Sequence, residues 1–303
     1  MLSSSGFPDL YIIFLPGHLG DLVLSLSTLF SKFNLPKNIL VVTRKTNKPV
    51  ANLFKNEFKF LFFDDKVLRP WHRFLGLNLK KHLHGLTDFS EKNILIINPY
   101  TYSPIGHFGL DKKKVSVISF PSAGAAAFSE NFITSTEALD NEYAAHEMIY
   151  GQIFKSLKAP RAFNNPSKSA LPDQLPNAPF LLLHLETSRL DKNIDLERVE
   201  SFVRNATEVG LSIVITGSKR CKIELFQSNK SIYDMRGMTT FLELAKLVQS
   251  ASYVLSADTV TAHLAQLYNV KQFVILTKFQ PNFMPFGSQI CFIDDYDDLR
   301  ECF

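Results

Sequence analysis

Short apolar runs rich in Val, Ile and Phe recur along this chain without polar alternation, separated by stretches long enough for helices. A strand that lacks alternation must be buried on both faces, the condition met inside a parallel sheet covered by helices. One series of runs occupies residues 10–15, 38–43, 59–63, 93–98 and 115–120. A second occupies 180–185, 211–216, 252–256, 272–276 and 289–293. Each series opens with a strand and a loop, so the pattern predicts an α/β chain with two Rossmann-like halves. The 303 residues suit two domains of about 150 each. Between the two series, residues 159–179 read APRAFNNPSKSALPDQLPNAP, with five prolines and no periodicity. That composition marks a linker. The expected division is an N-terminal domain over 1–160, a linker over 161–179 and a C-terminal domain over 180–303. Helical spacing over 144–157 closes the first domain.

Composition excludes several classes. With 46% hydrophobic and 20% charged residues, the chain lies far from the balance that keeps a chain disordered. A net charge of +4 is too small to point to nucleic acid, so a basic function must come from local clustering. The three cysteines, Cys221, Cys291 and Cys302, are far apart and form no CxxC pair. Neither a disulfide framework nor a Cys-rich zinc site fits, which suits a reducing compartment. No run approaches the roughly 18 apolar residues of a membrane span. The N-terminus lacks a basic start, and its apolar run stops at Pro16-Gly17, too short for a signal peptide. The expectation is a cytoplasmic protein that can touch a membrane peripherally.

After the first strand comes Pro16-Gly17-His18-Leu19-Gly20-Asp21, then a helix over 22–29. Gly17 and Gly20 let the backbone turn and approach a ligand closely. Their G-x-x-G spacing is not the G-x-G-x-x-G of a dinucleotide fingerprint. Asp21 falls at the helix start, either facing the crevice at the strand's carboxyl end or serving only as a carboxylate favoured by the helix dipole.

In the second half, polar residues follow each strand. The first run carries His184 near its end, followed by Glu186, Thr187, Ser188, Arg189 and Lys192. The second runs into Gly217-Ser218-Lys219-Arg220. Thr240 and Glu243 have capping-box spacing before a helix over 241–250. The third leads into Asp258-Thr259-Val260-Thr261-Ala262-His263, whose second part reads as a helix. Free N–H groups at that helix start, with Thr hydroxyls beside them, can cradle phosphate, and Lys192 or Lys219 can supply a point charge. Each feature has an ordinary reading too: Asp258 as an N-cap, His263 as a packed core residue, Lys192 as solvated surface.

Taken together, three stretches resemble glycosyltransferase family 9, the heptosyltransferases of bacterial lipopolysaccharide synthesis. They are IIFLPGHLGDLVLSLSTL, the segment from His184 through Lys192 to Thr216-Gly217, and IYDMRGMTTFLELAKLVQSASYVLSADTVTAHLAQLYNVKQFVIL. The resemblance implies a GT-B architecture, with two Rossmann-like domains facing a central cleft, acceptor mainly on the first and nucleotide sugar mainly on the second. It implies that Asp21 is the catalytic base, within the loop that holds Gly17, His18 and Gly20. It also implies that Thr187 and Lys192 contact the donor's diphosphate, near Gly217. Asp258, Thr259 and His263 match the family's donor-binding D-[ST]-G-x-x-H-L-A motif. This chain departs from the pattern at Val260, which stands where the motif has Gly. It departs again at Lys192-Asn-Ile-Asp195, where Lys-x-Trp-Pro is common, and at Pro16-Gly17-His18 before Gly-Asp. The end at Phe303 implies an abbreviated C-terminal helix.

The implied reaction is inverting transfer of a sugar, heptose from ADP-heptose, to a hydroxyl of a surface glycan such as lipopolysaccharide core. No cofactor beyond the nucleotide sugar is expected. A metal-dependent rival has only Asp295 and Asp297, whose D-x-D spacing lies in a terminal acidic run of the kind that is usually solvated. Residues 66–86 hold Arg69, Arg73, Lys80 and Lys81 interleaved with aromatic and aliphatic residues, and no acid. This stretch either grips an anionic glycolipid or the inner membrane's cytoplasmic face, or packs as an ordinary basic loop and helix. A GT-B protein that binds nucleotide or glycan without catalysis, its donor site decayed at Val260, is the alternative.

Overall fold

The computed structural model describes residues 8–64, 92–99, 115–119, 142–163, 175–176, 178–187, 194, 196–218, 231–276 and 290–293. The chain divides into two compact units, Met1–Arg161 and Ala162–Phe303.

The first unit holds strands β1 (Leu10–Leu15), β2 (Ile39–Arg44), β3 (Lys59–Phe63), β4 (Ile94–Asn98) and β5 (Val115–Ser119). Its described helices are α1 (Leu19–Lys32), α2 (Lys48–Leu53) and α3 (Glu142–Gly151). The strands form one sheet in the order β3-β2-β1-β4-β5, and every pairing is parallel. One face buries Ile12, Phe14, Val42, Phe63, Ile94, Ile96, Val115 and Val117. These are alternate residues of their strands, as the period-2 geometry of a strand requires. The remaining core of β1 and β4, including Ile13, Leu15, Leu95 and Ile97, is equally buried, so both faces are covered.

α1 extends beyond the expected 22–29 at both ends. At its far end Phe33 bridges to Ser156, and the Leu157 N–H donates to the Lys32 carbonyl at 2.7 Å. That pairing explains a correction: the helix expected over 144–157 stops at Gly151. Residues 152–157 turn instead to line the end of α1, where the Asn34 N–H donates to the Lys155 carbonyl at 2.8 Å. α1 and α3 are joined further by Lys32 with Glu147 and by a buried hydrogen bond of 2.5 Å between Ser25 and Tyr150. Burial pushes the Tyr150 phenol up, so it stays protonated.

The second unit holds β6 (Phe180–His184), β7 (Ser212–Thr216), β8 (Ile232–Asp234), β9 (Tyr253–Ala257), β10 (Lys271–Ile275) and β11 (Ile290–Ile293). Helices α4 (Leu196–Glu208), α5 (Phe241–Ser250) and α6 (Val260–Leu267) connect them. The sheet is again wholly parallel, in the order β11-β10-β9-β6-β7-β8. α4 lays Val199, Phe202, Val203 and Ala206, one face at helical spacing, on Leu181, Leu183, Ile213 and Ile215. Burying Phe202 alone contributes about 1.5–3 kcal/mol. The three-residue strand β8 was not expected from the apolar runs. It is too short, and too polar at Asp234, to stand out.

Both strand orders reverse beside the first strand of the unit. In each, the first strand lies between the second and the fourth: β1 between β2 and β4, and β6 between β7 and β9. Such a switch point opens a crevice at the carboxyl ends of the strands, where ligands bind in open α/β sheets.

Candidate functional site

In the first unit the switch point lies beyond Leu15 and Asn98, the ends of β1 and β4. Gly17 is buried and His18 is exposed as the N-cap of α1, with Gly20 and Asp21 in the first turn. The His18 N–H donates to Asp21 Oδ2 at 2.6 Å, closing the helix start from within. Asp21 therefore also ties down the helix start, and this uses one carboxylate oxygen. Positive φ occurs at Gly210, Gly217 and Gly237 among the described glycines, so Gly17 and Gly20 hold backbone conformations that other residues also adopt.

What shapes this loop instead is a set of donors from β2 and the turn after it. Arg44 Nε donates to the Pro16 carbonyl, and Asn47 Nδ2 to the Gly17 carbonyl at 2.9 Å. Asn47 also donates to Thr43 Oγ1 at 2.9 Å, and Thr43 donates to the Leu15 carbonyl at 2.7 Å. Thr43 and Asn47 are fully buried, so these bonds fix the backbone that carries Asp21. Sequence reading missed all three residues. Their only signal was polarity at the end of an otherwise apolar run.

In the second unit the switch point brings the segments after β6 and β9 together. His184, Thr216 and Ser256 share one register row across β7, β6 and β9 and therefore one face of the sheet. His184 Nδ1 and Thr216 Oγ1 are 3.0 Å apart. Burial pushes the His184 imidazole down to about 4, against the opposing pull of the Glu186 carboxylate and a backbone hydrogen bond to Glu186. Thr187 follows, half-buried.

The three loops beyond β6, β7 and β8 are tied side by side. Glu186 Oε2 accepts from the Ser218 N–H at 2.6 Å, and the Gly217 carbonyl accepts from the Gly237 N–H at 2.7 Å. Arg236 forks onto Asp234, with Nε to Oδ1 at 2.8 Å and Nη2 to Oδ2 at 2.7 Å. Those bonds hold the Asp234 carboxyl below the usual carboxylate range. Gly217 has φ +140°, and a Cβ built on it would lie 3.3 Å from Cδ of Glu186. Gly217→Ala should thus cost about 1–2 kcal/mol in urea unfolding by forcing a residue into backbone space reserved for glycine. An unchanged midpoint would show that the turn adopts another conformation without penalty.

Beyond β9, Thr259 rather than Asp258 is the N-cap of α6. Its Oγ1 accepts from the Thr261 N–H at 3.2 Å. Asp258 stands just before it, half-buried, and Val260 is the first helical residue. His263 is buried one turn in, as the ordinary reading of a helical histidine has it. The expected capping box at α5 is present, with the Thr240 N–H donating to Glu243 Oε2 at 2.7 Å and the Glu243 N–H to Thr240 Oγ1 at 3.3 Å. So the structure brings Thr187, Gly217, Asp258, Thr259 and His263 to the carboxyl end of one sheet. Lys192, Lys219, Arg69, Arg73, Lys80, Lys81, Asp295 and Asp297 lie outside the described residues. Among the described residues, no three His, Cys, Asp or Glu side chains are grouped to hold a metal ion. No described helix is long and apolar enough to cross a membrane.

The family model described as glycosyltransferase family 9 (heptosyltransferase) matches residues 114–289, more than half of the chain. The chain belongs to glycosyltransferase family 9. Among solved structures, a glycosyl transferase family 9 protein from Veillonella parvula DSM 2008 superposes with a TM-score of 0.70 at 12% identity, covering 95% of this chain and 86% of that one. E. coli heptosyltransferase WaaC with ADP gives 0.63 at 12% identity, over 93% and 92%. E. coli ADP-heptose lps heptosyltransferase II gives 0.60 at 12% identity, over 94% and 90%. At that identity these likenesses speak to the fold, and the fold is that of the GT-B glycosyltransferases. No sequence among the curated proteins matches the chain. This family 9 protein is a glycosyltransferase, with two parallel-sheet Rossmann-like domains.

Proposed function

We propose that this family 9 transferase moves heptose from ADP-heptose, with inversion and without a metal, to a hydroxyl of a bacterial surface glycan such as lipopolysaccharide core. The observation that carries the reading is the polar corner of the second unit, where the end of β6 and the capped start of α6 meet at a switch point. Support comes from the family match and from the ADP held by the E. coli WaaC structure.

In the proposed step the acceptor oxygen forms a bond to the anomeric carbon while the bond from that carbon to the diphosphate oxygen breaks on the opposite face. The hydroxyl proton passes to Asp21, and ADP leaves with the electron pair. The Asp21 oxygen that does not cap α1 takes this role. Thr187, Lys192 and the backbone at Thr259 receive the charge that grows on the diphosphate. Asp258 would repel phosphate and instead suits sugar hydroxyls or backbone N–H groups. The first unit serves the acceptor, and the basic stretch carrying Arg69, Arg73, Lys80 and Lys81 meets the acceptor's anionic groups or the cytoplasmic face of the inner membrane.

Calorimetric titration with ADP, UDP and GDP tests the donor. Selective ADP binding is expected, weakened about tenfold or more in Lys192→Ala by loss of a charge-assisted contact. Preference for UDP or GDP would keep the transferase and remove ADP-heptose as its donor.

A further inference from the structure

Glu186 is held in an unusual way for a loop carboxylate. Its Oε2 is taken by the Ser218 N–H at 2.6 Å, and the space its side chain fills exists because residue 217 is glycine at φ +140°. Its other oxygen, Oε1, is buried and has no hydrogen-bond partner among the described residues. Two fully buried hydroxyls on the elements flanking the other side of the switch point share that condition: Ser256 Oγ on β9 and Thr261 Oγ1 on α6. Buried polar groups are normally satisfied, and an unsatisfied carboxylate oxygen is the most costly of these three.

The chemistry of the missing partner follows. Ionised carboxylate oxygens only accept hydrogen bonds, so the group that completes Glu186 must donate one. Phosphate oxygens cannot, and their charge would be repelled. A sugar hydroxyl can. Resting on the nucleotide-sugar reading above, we propose that Glu186 is a specificity-determining residue of the donor site, its Oε1 accepting a hydrogen bond from a hydroxyl of the nucleotide sugar. The diphosphate is thereby kept on the Thr259 side, and a diol is selected on the Glu186 side. Two diols are available, the ribose and the transferred sugar, and they share this chemistry.

Titration of the full chain with ADP, 2′,3′-dideoxy-ADP and ADP-glucose as probes separates them. The proteins compared are wild type, Glu186→Ala and Glu186→Gln. Gln keeps the volume and a neutral acceptor for the Ser218 N–H, so it guards against a loop that collapses in the Ala variant. If the ribose is the partner, wild type binds ADP about tenfold to a hundredfold more tightly than the dideoxy compound. That preference disappears in Glu186→Ala and shrinks in Glu186→Gln. If the transferred sugar is the partner, ADP affinity is the same in all three proteins, while ADP-glucose loses about tenfold or more in the variants. Equal affinities of wild type and both variants for all three probes would overturn the assignment. So would tighter ADP binding by Glu186→Gln, because it would put the carboxylate against phosphate. Failure of wild type to bind any nucleoside diphosphate would instead remove the donor reading itself, and this assignment with it.

Discussion

Asp21→Asn should lower turnover by about a hundredfold to ten-thousandfold, the range ascribed to a positioned general base. Affinity for the nucleotide should change less than about threefold, because the residues proposed to hold the donor belong to the second unit. The substitution is informative because of what it preserves. Asn retains a side-chain oxygen that can accept from the His18 N–H, now made by Asp21 Oδ2 at 2.6 Å. The helix start survives and the proposed proton acceptor does not. Asp21→Ala loses both, and should also lower the melting temperature by the equivalent of about 0.5–2 kcal/mol of lost capping. If Asp21→Asn turns over at the wild-type rate, Asp21 is a cap and the base lies elsewhere.

The second large effect concerns acid. His184 titrates near 6.5 in an unfolded chain and is pushed down to about 4 in the folded one. Between those values the unfolded chain binds a proton that the folded chain does not, so stability falls as pH drops through that window. The full loss is about 3 kcal/mol, complete once pH lies below the folded value. Asp234, from 3.8, and Glu243, from 4.5, are held low by their hydrogen bonds, so their stabilisation is lost only at lower pH. The two windows barely overlap. Urea unfolding at about pH 7 and about pH 4.5 should therefore show a drop for wild type that is largely absent in His184→Gln. An equal drop in both proteins would show that His184 is protonated without penalty in the fold.

The two predictions test sites that differed in legibility. Asp21 stood out in the sequence because a glycine loop after a buried strand leads directly into a helix, but a role as base was implied only by the family resemblance. His184 was visible as a polar residue ending an apolar strand, but its environment was not. Its depressed basicity comes from burial at the switch point, opposed only in part by Glu186. Likewise Thr259 displaced Asp258 as the cap of α6 because the helix begins one residue later than the Asp suggested. A one-residue shift at a helix start is invisible to pattern reading, since both residue types cap well.

The sequence by itself determined the described strands other than β8, the parallel character of the sheets and the capping box at α5. Each follows from spacing within a few residues: apolar runs without alternation need burial on both faces, and Thr240 and Glu243 satisfy each other's backbone groups locally. Tertiary structure alone decided which strands are neighbours. Only the order β11-β10-β9-β6-β7-β8 sets the loop after His184 beside Asp258 and Thr259. In the same way, only tertiary structure clamps Glu186 onto Ser218 and fixes the Asp21 loop through Arg44 and Asn47. Those contacts join residues distant along the chain. Local periodicity records how deeply a residue is buried, and it carries no information about which buried neighbour lies across the sheet.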